Sequence, residues 1–293
     1  MSPRARRRAL VIAGSTVIAG FAVMAPAYAA SSGHSAATAT THHSATVPRT
    51  PSGALVRSGG PVSHLIRPAT SRTAGRNADT TSENWSGYAA DSGTYNSVSA
   101  SWTEPTGTCH SGDQYSSFWV GLDGYNSNSV EQTGSEVDCS GSTPEYYSWY
   151  EMYPAYPVNF SNTVRPGDHF TGSVTWNSGD SFTLTLADTT QGWSHTVTAT
   201  ASGAARSSAE VIAEAPCCTS SGGILPLADF GTVNFTGATV NGSAIGNDNP
   251  VSMNMVSASG VQEDNVSSLS GGENFSATWM SSGSSTRRGG PRH

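Results

Sequence analysis

The chain has 293 residues, of which 14 are basic and 21 acidic, so its net charge at pH 7 is −7. This negative balance disfavours nucleic acid as a partner, because the phosphate groups would be repelled. Beyond the N-terminal region, no apolar stretch approaches the about 20 residues that a membrane-spanning helix needs. The composition therefore predicts a protein that neither binds nucleic acid nor crosses a membrane.

Residues 1–29 have the pattern of a secretory signal peptide. Arginines at positions 4, 6, 7 and 8 are followed by an uncharged apolar stretch and by a small-x-small cleavage site at residues 27–29. A membrane anchor is the alternative, but the apolar stretch is short and Pro26 follows it. The sequence thus predicts a secreted, extracellular protein.

Residues 30–79 form a segment of different composition, rich in Ser, Thr, Ala and Pro and without Trp, Tyr or Phe. Such a segment cannot bury enough apolar surface to fold alone. Residues 30–78 carry five arginines and no acid, whereas residues 79–293 carry five arginines and 21 acids, a net charge of −16. This opposition predicts a basic, inhibitory pro-segment whose attraction weakens in acid, as carboxylates lose charge. A disordered linker is the alternative.

Residues 80–280 contain one short run of β-branched and aromatic residues after another, and many of these runs alternate with period two. Turn signals such as Asn241-Gly242 and Gly271-Gly272 separate them, and no stretch shows sustained helical periodicity. This pattern predicts an all-β fold, an antiparallel two-sheet β-sandwich of the concanavalin A-like or jelly-roll type, followed by a flexible tail at 281–293. The predicted strands cover residues 97–102, 117–122, 146–153, 169–176, 182–186, 195–200, 209–212, 233–236, 251–256 and 275–280.

Four cysteines fit an oxidising destination and allow three pairings. The pair Cys109–Cys139 is favoured, because it would join the ends of the segment that carries the best motif. Whether the adjacent Cys217 and Cys218 pair with each other is left open. A zinc site is disfavoured, since His110 is the one histidine near these cysteines, and no metal or organic cofactor is expected.

The chain lacks the catalytic residues of two familiar hydrolase types, the serine hydrolases and the aspartic peptidases. The domain has no G-x-S-x-G nucleophile elbow and few histidines to act as a base. Asp91-Ser-Gly is a single copy of a tripeptide that aspartic peptidase chemistry would need twice.

Glutamates inside predicted strands are more informative, because strand interiors disfavour them. Glu210 and Glu214 stand four residues apart and would line one sheet face, although simple exposure to solvent is the alternative.

Six motifs occur in the order seen in glutamic peptidases (eqolisins), and the chain resembles the bacterial-type secreted acid peptidases of that family from about residue 84 to 280. The departures are Val211, where the family often has Trp, and the adjacent cysteines at 217 and 218. The motifs are Asn84-Trp-Ser-Gly-Tyr88, Phe118-Trp-Val-Gly-Leu-Asp-Gly124, Glu131-Gln-Thr-Gly134, Trp149-Tyr-Glu-Met-Tyr-Pro154, Ser208-Ala-Glu-Val-Ile-Ala-Glu214 and Leu227-Ala-Asp-Phe-Gly-Thr-Val233.

The resemblance implies a sandwich with a cleft for an extended peptide and a catalytic pair, Gln132 and Glu210. The resemblance also places further residues along or behind that cleft, and Glu214 is added to them because it would share a sheet face with Glu210. These residues are Trp85, Trp119, Asp123, Glu136, Trp149, Glu151, Tyr153 and Glu214. The expected activity is that of a pepstatin-insensitive acid endopeptidase, made as a zymogen and acting as a monomer on proteins or peptides.

A carboxylate with an ordinary pKa of about 4.3 is a base suited to acid, where histidine would be protonated. Glu210 is expected to activate the water and then protonate the leaving nitrogen, while Gln132 orients the water and stabilises the oxyanion. The alternative function is a glycan-binding or glycoside-hydrolysing sandwich, since carboxylate pairs and aromatic residues also serve that chemistry.

Overall fold

The computed structural model describes residues 66–67, 79–217 and 223–283, so the predicted signal peptide, most of the pro-segment, Cys218 and most of the tail lie outside it. Within these residues no helix is long and apolar enough to span a membrane. One 3-10 helix (Ile245–Asp248) accompanies the strands, which are β1 (Thr80–Ser82), β2 (Trp85–Ala90), β3 (Ser97–Thr103), β4 (Gln114–Leu122), β5 (Val130–Ser140), β6 (Thr143–Tyr153), β7 (Val158–Asn159), β8 (His169–Ser178), β9 (Ser181–Asp188), β10 (Trp193–Thr200), β11 (Ala209–Glu214), β12 (Thr232–Val240), β13 (Ser243–Ala244), β14 (Val251–Met255), β15 (Asp264–Val266) and β16 (Phe275–Trp279).

The strands form two sheets, which we name the front sheet and the back sheet. The front sheet has the order β1-β14-β2-β11-β4-β5-β6-β7, and the back sheet has the order β10-β9-β8-β3-β12-β16-β15, with β13 paired to β12. Neighbouring strands are antiparallel, apart from the parallel pair of β1 and β14. Apolar side chains from both sheets pack into one core cluster between them. The predicted two-sheet β-sandwich is therefore confirmed.

The two sheets are buried differently. In the back sheet, strands such as β9 alternate, with Phe182, Leu184 and Leu186 buried and the residues between them partly exposed. In the front sheet, nearly every residue of β2, β4, β5 and β11 is buried on both faces. Period-two patterning finds the first kind of strand and misses the second, because a strand covered on both faces need not alternate.

The ten predicted strands all correspond to observed ones, and the turns at Asn241-Gly242 and Gly271-Gly272 separate strands as expected. The most important strand that the pattern missed is β5, whose sequence VEQTGSEVDCS is rich in residues that disfavour strands. It forms because it pairs along its whole length with β4 on one side and β6 on the other.

The predicted disulfide between Cys109 and Cys139 is present, with an S–S distance of 1.97 Å. It ties the segment before β4 to the end of β5. Cys217 is also in a disulfide. The segment that precedes β4 is thus linked covalently to β5, in addition to the backbone hydrogen bonds between β4 and β5.

Several carboxyl groups are buried within the fold. Glu104, just after β3, is 1% exposed, and Glu263 and Asp264, at the start of β15, are 3% and 0% exposed. Burial raises the pKa of Glu104 to about 8 and that of Asp264 to about 7. Burial also raises the pKa of Glu263 to about 8, and the neighbouring Asp264 carboxyl adds to this shift. The fold therefore holds these groups most easily in their protonated, neutral form.

These raised pKa values predict a protein that is more stable in acid than at mildly alkaline pH. Above the ordinary glutamate value of 4.5, the unfolded chain releases protons that the folded chain retains, so the free energy of unfolding falls as the pH rises to about 8. We expect the thermal midpoint to be higher at about pH 4 than at about pH 8, and Glu104→Gln to reduce that difference.

Glu104→Gln removes a change in the free energy of unfolding of up to about 1.4 kcal/mol per pH unit, since glutamine does not titrate. The control is Asp180→Asn, which neutralises an exposed carboxyl in the turn between β8 and β9. Equal pH dependence in the wild type and in Glu104→Gln would show that Glu104 does not couple stability to pH.

Candidate active site

We name the face of the front sheet that is turned away from the back sheet the site face. It carries a second apolar cluster, which we name the tryptophan cluster. Residues alternate between the two faces along each strand: Val211 and Ala213 belong to the core, whereas Ile212 belongs to the tryptophan cluster. Trp85 and Trp119 meet edge to face, with ring centroids 4.9 Å apart. The members of the tryptophan cluster are Trp85, Ala89, Trp119, Trp149, Ile212 and Met253.

One row of residues crosses the site face and joins the two predicted catalytic residues. Glu210 on β11 is opposite Gly121 on β4, and Gly121 is opposite Gln132 on β5. With neighbouring strands about 4.8 Å apart, the Cα atoms of Glu210 and Gln132 are separated by roughly 10 Å. An added Cβ at Gly121 would come within 2.9 Å of the Trp119 ring and 3.1 Å of Gln132 Cβ. The row therefore places the carboxyl and the amide on either side of a glycine against which the Trp119 indole packs.

Gln132 is anchored by the next residue of the row. It pairs with Glu151 on β6, and its Nε2 donates a hydrogen bond of 2.7 Å to Glu151 Oε2. Both residues are fully buried. No described residue offers a hydrogen bond to Gln132 Oε1. The amide thus has a fixed orientation, with one N–H held by Glu151 and with the second N–H and the oxygen left to act on a ligand.

Glu210 is fully buried, and within the described parts of the chain neither carboxyl oxygen has a hydrogen-bond partner. Burial raises its pKa well above the ordinary value. The polar groups of Ser208 and Tyr125 oppose the shift, whereas the carboxyls of Asp123 and Glu131 increase it. An unpartnered buried carboxyl costs stability and wants an explanation. Glu210 is opposite Gly121 in the register, and a ligand that reached this position would supply the missing partners.

Glu214, four residues further along β11, is in a different situation. Its Oε2 accepts a 2.8 Å hydrogen bond from Trp119 Nε1, and its Oε1 accepts a 3.4 Å hydrogen bond from Asn84 Nδ2. These hydrogen bonds hold the Glu214 carboxyl against Trp119, a member of the tryptophan cluster, and against Asn84. Of the two glutamates on this strand, Glu214 is thus hydrogen-bonded, whereas Glu210 has no hydrogen-bond partner among the described residues.

Asp123 lies at the end of β4 and holds the chain that leads into β11. Its carboxylate accepts hydrogen bonds from the backbone N–H groups of Arg206 and Ser207, at 2.7 and 2.9 Å, and from the Ser207 hydroxyl at 3.2 Å. Its own backbone N–H donates to the Ser208 carbonyl at 3.0 Å. Asp123 therefore positions the strand that carries Glu210.

The remaining predicted residues lie on the site face, at places set by strand register. Trp119 and Trp149 flank Gly134, where an added Cβ would come within 2.6 Å of Trp119 Cβ, so a side chain cannot fit there. Glu136 is buried in the row of Ser117 and Glu214. Tyr153 is half-buried, two residues beyond Glu151.

The sequence did not identify Ala89, Ile212 and Met253 as part of the site, because an apolar residue in a strand is usually a core residue. It also did not assign a role to Gly121 or Gly134. A glycine inside a strand can mark a close approach of another group, and that signal was available. Across the described ranges, no three His, Cys, Asp or Glu side chains are grouped so that they could hold a metal ion.

Comparisons with known proteins agree on one family. The sequence pattern of the Peptidase A4 family matches residues 83–279. Aspergillopepsin-2 of Aspergillus niger is 35% identical over 137 residues, which are 44% of this chain and 48% of that protein. The match thus spans about half the length of that relative.

Solved structures extend the similarity to nearly the whole of the related domains. Scytalido-glutamic peptidase with a transition state analog inhibitor gives a TM-score of 0.60 at 26% identity, covering 68% of this chain and 98% of that one. Aspergilloglutamic peptidase from Aspergillus niger gives a TM-score of 0.51 at 29% identity, covering 57% of this chain and 99% of that one.

Removing the Asp123 carboxylate should loosen the start of β11. Asp123→Ala leaves two backbone N–H groups without their charged acceptor, and each such bond stabilises by about 1.5–3 kcal/mol. We expect a clear drop in the urea midpoint of unfolding, monitored by tryptophan fluorescence. The matched control is Ser207→Ala, which removes the hydroxyl contacts with Asp123 and Asn126 and leaves both backbone N–H contacts of Asp123 in place. Similar losses in both variants would mean that the backbone contacts of Asp123 contribute little.

Proposed function

Because the chain belongs to the Peptidase A4 family, we propose that it is an endopeptidase that hydrolyses peptide bonds of protein substrates with Glu210 and Gln132. The observation that carries the proposal is the row Glu210–Gly121–Gln132. It holds a buried carboxyl and a buried amide on opposite sides of a glycine, each with polar atoms that lack a hydrogen-bond partner among the described residues.

The reaction follows from what these two side chains can do. A water molecule between them is hydrogen-bonded by Gln132 Oε1, and ionised Glu210 takes its proton as the oxygen attacks the peptide carbonyl carbon. The second N–H of Gln132 donates to the oxyanion that forms, and this donor is available at any working pH because an amide does not titrate. Glu210 then passes its proton to the leaving nitrogen, the C–N bond breaks, and the carboxylate is restored.

Glu151 serves this chemistry as a positioning residue. Its carboxyl accepts one N–H of Gln132, so the other N–H points towards the substrate side. A glutamine without this contact would be able to rotate and to present its oxygen to the oxyanion, which would repel it. Glu151 therefore determines both the position of the Gln132 amide and which end of it, N–H or oxygen, is presented to the substrate.

The pKa of Glu210 limits when this base can act. Burial favours the protonated carboxyl, which cannot accept a proton from water. Peptide cleavage in acid requires water to reach the site face, because hydration stabilises the carboxylate and lowers its pKa. We propose that the closed site face belongs to an inactive precursor, and that loss of the basic segment before Asp79 admits water.

The same proposal covers the way the protein reaches its place of action. The N-terminal pattern of residues 1–29 fits export, and an acidic domain with a basic pro-segment fits a zymogen that is secreted and activated in acid. No organic cofactor or metal has a step in the mechanism, and a single chain supplies both catalytic residues.

The two glutamates of β11 provide a direct test. Glu210→Gln removes the base, and Gln132→Met removes the oxyanion donor at similar volume; each should lower kcat on a casein substrate by about 10²-fold or more. Glu214→Gln should lower it much less, because Glu214 is already engaged by Trp119 and Asn84. Circular dichroism confirms that each variant is folded. A larger loss of kcat in Glu214→Gln than in Glu210→Gln would show that Glu210 is not the base.

The pH profile tests the reaction class. We expect the mature protein to cleave denatured casein only in acid and to do so in the presence of pepstatin, which blocks peptidases that use two aspartates. Activity that persists near neutral pH, or is abolished by pepstatin, would contradict the proposal. Binding of polysaccharide without any peptide cleavage would favour the glycan-binding alternative.

A further inference from the structure

Two residues that precede the domain in the chain, Ile66 and Arg67, are held against the front sheet. The Arg67 backbone N–H donates a 2.9 Å hydrogen bond to Asn84 Oδ1. The Arg67 carbonyl accepts hydrogen bonds from the Glu83 backbone N–H at 2.7 Å and from Ser82 Oγ at 3.1 Å. Both backbone polar groups of Arg67 are thus bound, which fixes the position of the neighbouring Ile66.

The hydrogen bonds of Arg67 lead directly into the site. Asn84 is fully buried, and it contacts Arg67 through its oxygen and Glu214 through its nitrogen. Glu214 in turn accepts the indole N–H of Trp119. An unbroken chain of hydrogen bonds therefore runs from the segment before the domain to a tryptophan on the site face.

The side chain of Ile66 packs against the tryptophan cluster and is half-buried. Ile212 of that cluster lies two residues from Glu210 on β11, a distance of roughly 7 Å along a strand. An extended peptide lying on the site face advances by about the same distance in two residues. A side chain bound by the tryptophan cluster thus belongs to a residue about two positions from the bond that is cut.

We propose that the tryptophan cluster binds a large aliphatic side chain of the substrate, about two residues from the cleaved bond, and that Ile66 occupies this subsite before maturation. The inference rests on the proposed peptidase function and adds its substrate preference. The cluster is built of indole rings, an isoleucine, a methionine and an alanine, so it favours an apolar side chain. Ile66 is the chain's own example of such a ligand.

The first test uses a peptide of residues 60–72, added to the mature enzyme as a competitor of a fluorogenic substrate. Replacing Ile66 by Ala or Asp should weaken inhibition by about 10–100-fold, the range expected from losing the burial of an isoleucine side chain. Ile66→Leu should retain most of the inhibition. The control peptide carries Arg72→Ala, which removes one positive charge and keeps Ile66. Equal weakening in the control and in Ile66→Ala would show attraction by charge alone and would overturn the inference.

The second test measures the preference of the enzyme itself. Substrates that carry Ile or Ala at each of three positions on either side of the cleaved bond should reveal one position, about two residues away, where Ala lowers kcat/KM by about 10–100-fold. Ile212→Ala should shift that preference towards larger side chains. Ile245→Ala is the matched control, because Ile245 is equally buried but lies in the core between the sheets.

The outcomes separate the two proposals. If the mature wild type cleaves none of the substrates, the proposed function fails. If it cleaves them without an aliphatic preference, and the Ile66 peptides inhibit equally, the function stands and the subsite is refuted. Because the peptide substitutions leave the enzyme unchanged, this result does not depend on how any enzyme variant folds.

Discussion

The candidate site depends on the register in which β11, β4, β5 and β6 pair. A shift of one residue between any two of these strands would turn a whole set of side chains to the other face. In the observed register, Glu210 and Gln132 flank Gly121, and Glu151 lies directly beyond Gln132. Glycines at 121 and 134 allow Trp119 to pack between the functional side chains, because a Cβ at either position would collide with it. The register is in turn secured by Asp123, by the Cys109–Cys139 disulfide and by the core on the opposite face.

The front sheet is unusual in being buried on both faces, and its chemistry follows from this burial. A carboxyl in such a sheet is either hydrogen-bonded, as Glu214 is, or forced towards its neutral form, as Glu210 is. The same effect operates away from the site, at Glu104 and Asp264. A protein built with many buried carboxyls is best suited to acid, where they carry no charge. Burial of these carboxyls thus accounts for stability in acid, whereas the proposed activity in acid requires water to reach Glu210 and lower its pKa.

The contacts of Ile66 and Arg67 connect this burial to regulation. They place a residue of the N-terminal segment on the apolar floor of the site and bind its backbone to Asn84. In the proposed precursor, the segment keeps water from Glu210 and supplies the apolar partner that a substrate later provides. Inhibition and substrate recognition would then use the same surface, so removal of the segment would expose a subsite that is already formed.

The sequence by itself indicated the fold class, favoured the Cys109–Cys139 pairing and named some of the residues on the site face, because strand patterning, cysteine spacing and motif order are local properties of the chain. It could not show that β5 is a strand, since its residues disfavour strands and only pairing on both sides stabilises it. Nor could it distinguish Glu210 from Glu214 by environment, or identify the supporting role of Asp123. Those distinctions depend on hydrogen bonds between residues about 80 to 130 positions apart in the chain, such as Asp123 with Arg206 and Asn84 with Glu214. Only the tertiary structure brings such groups together and determines which of them lose water without gaining a partner.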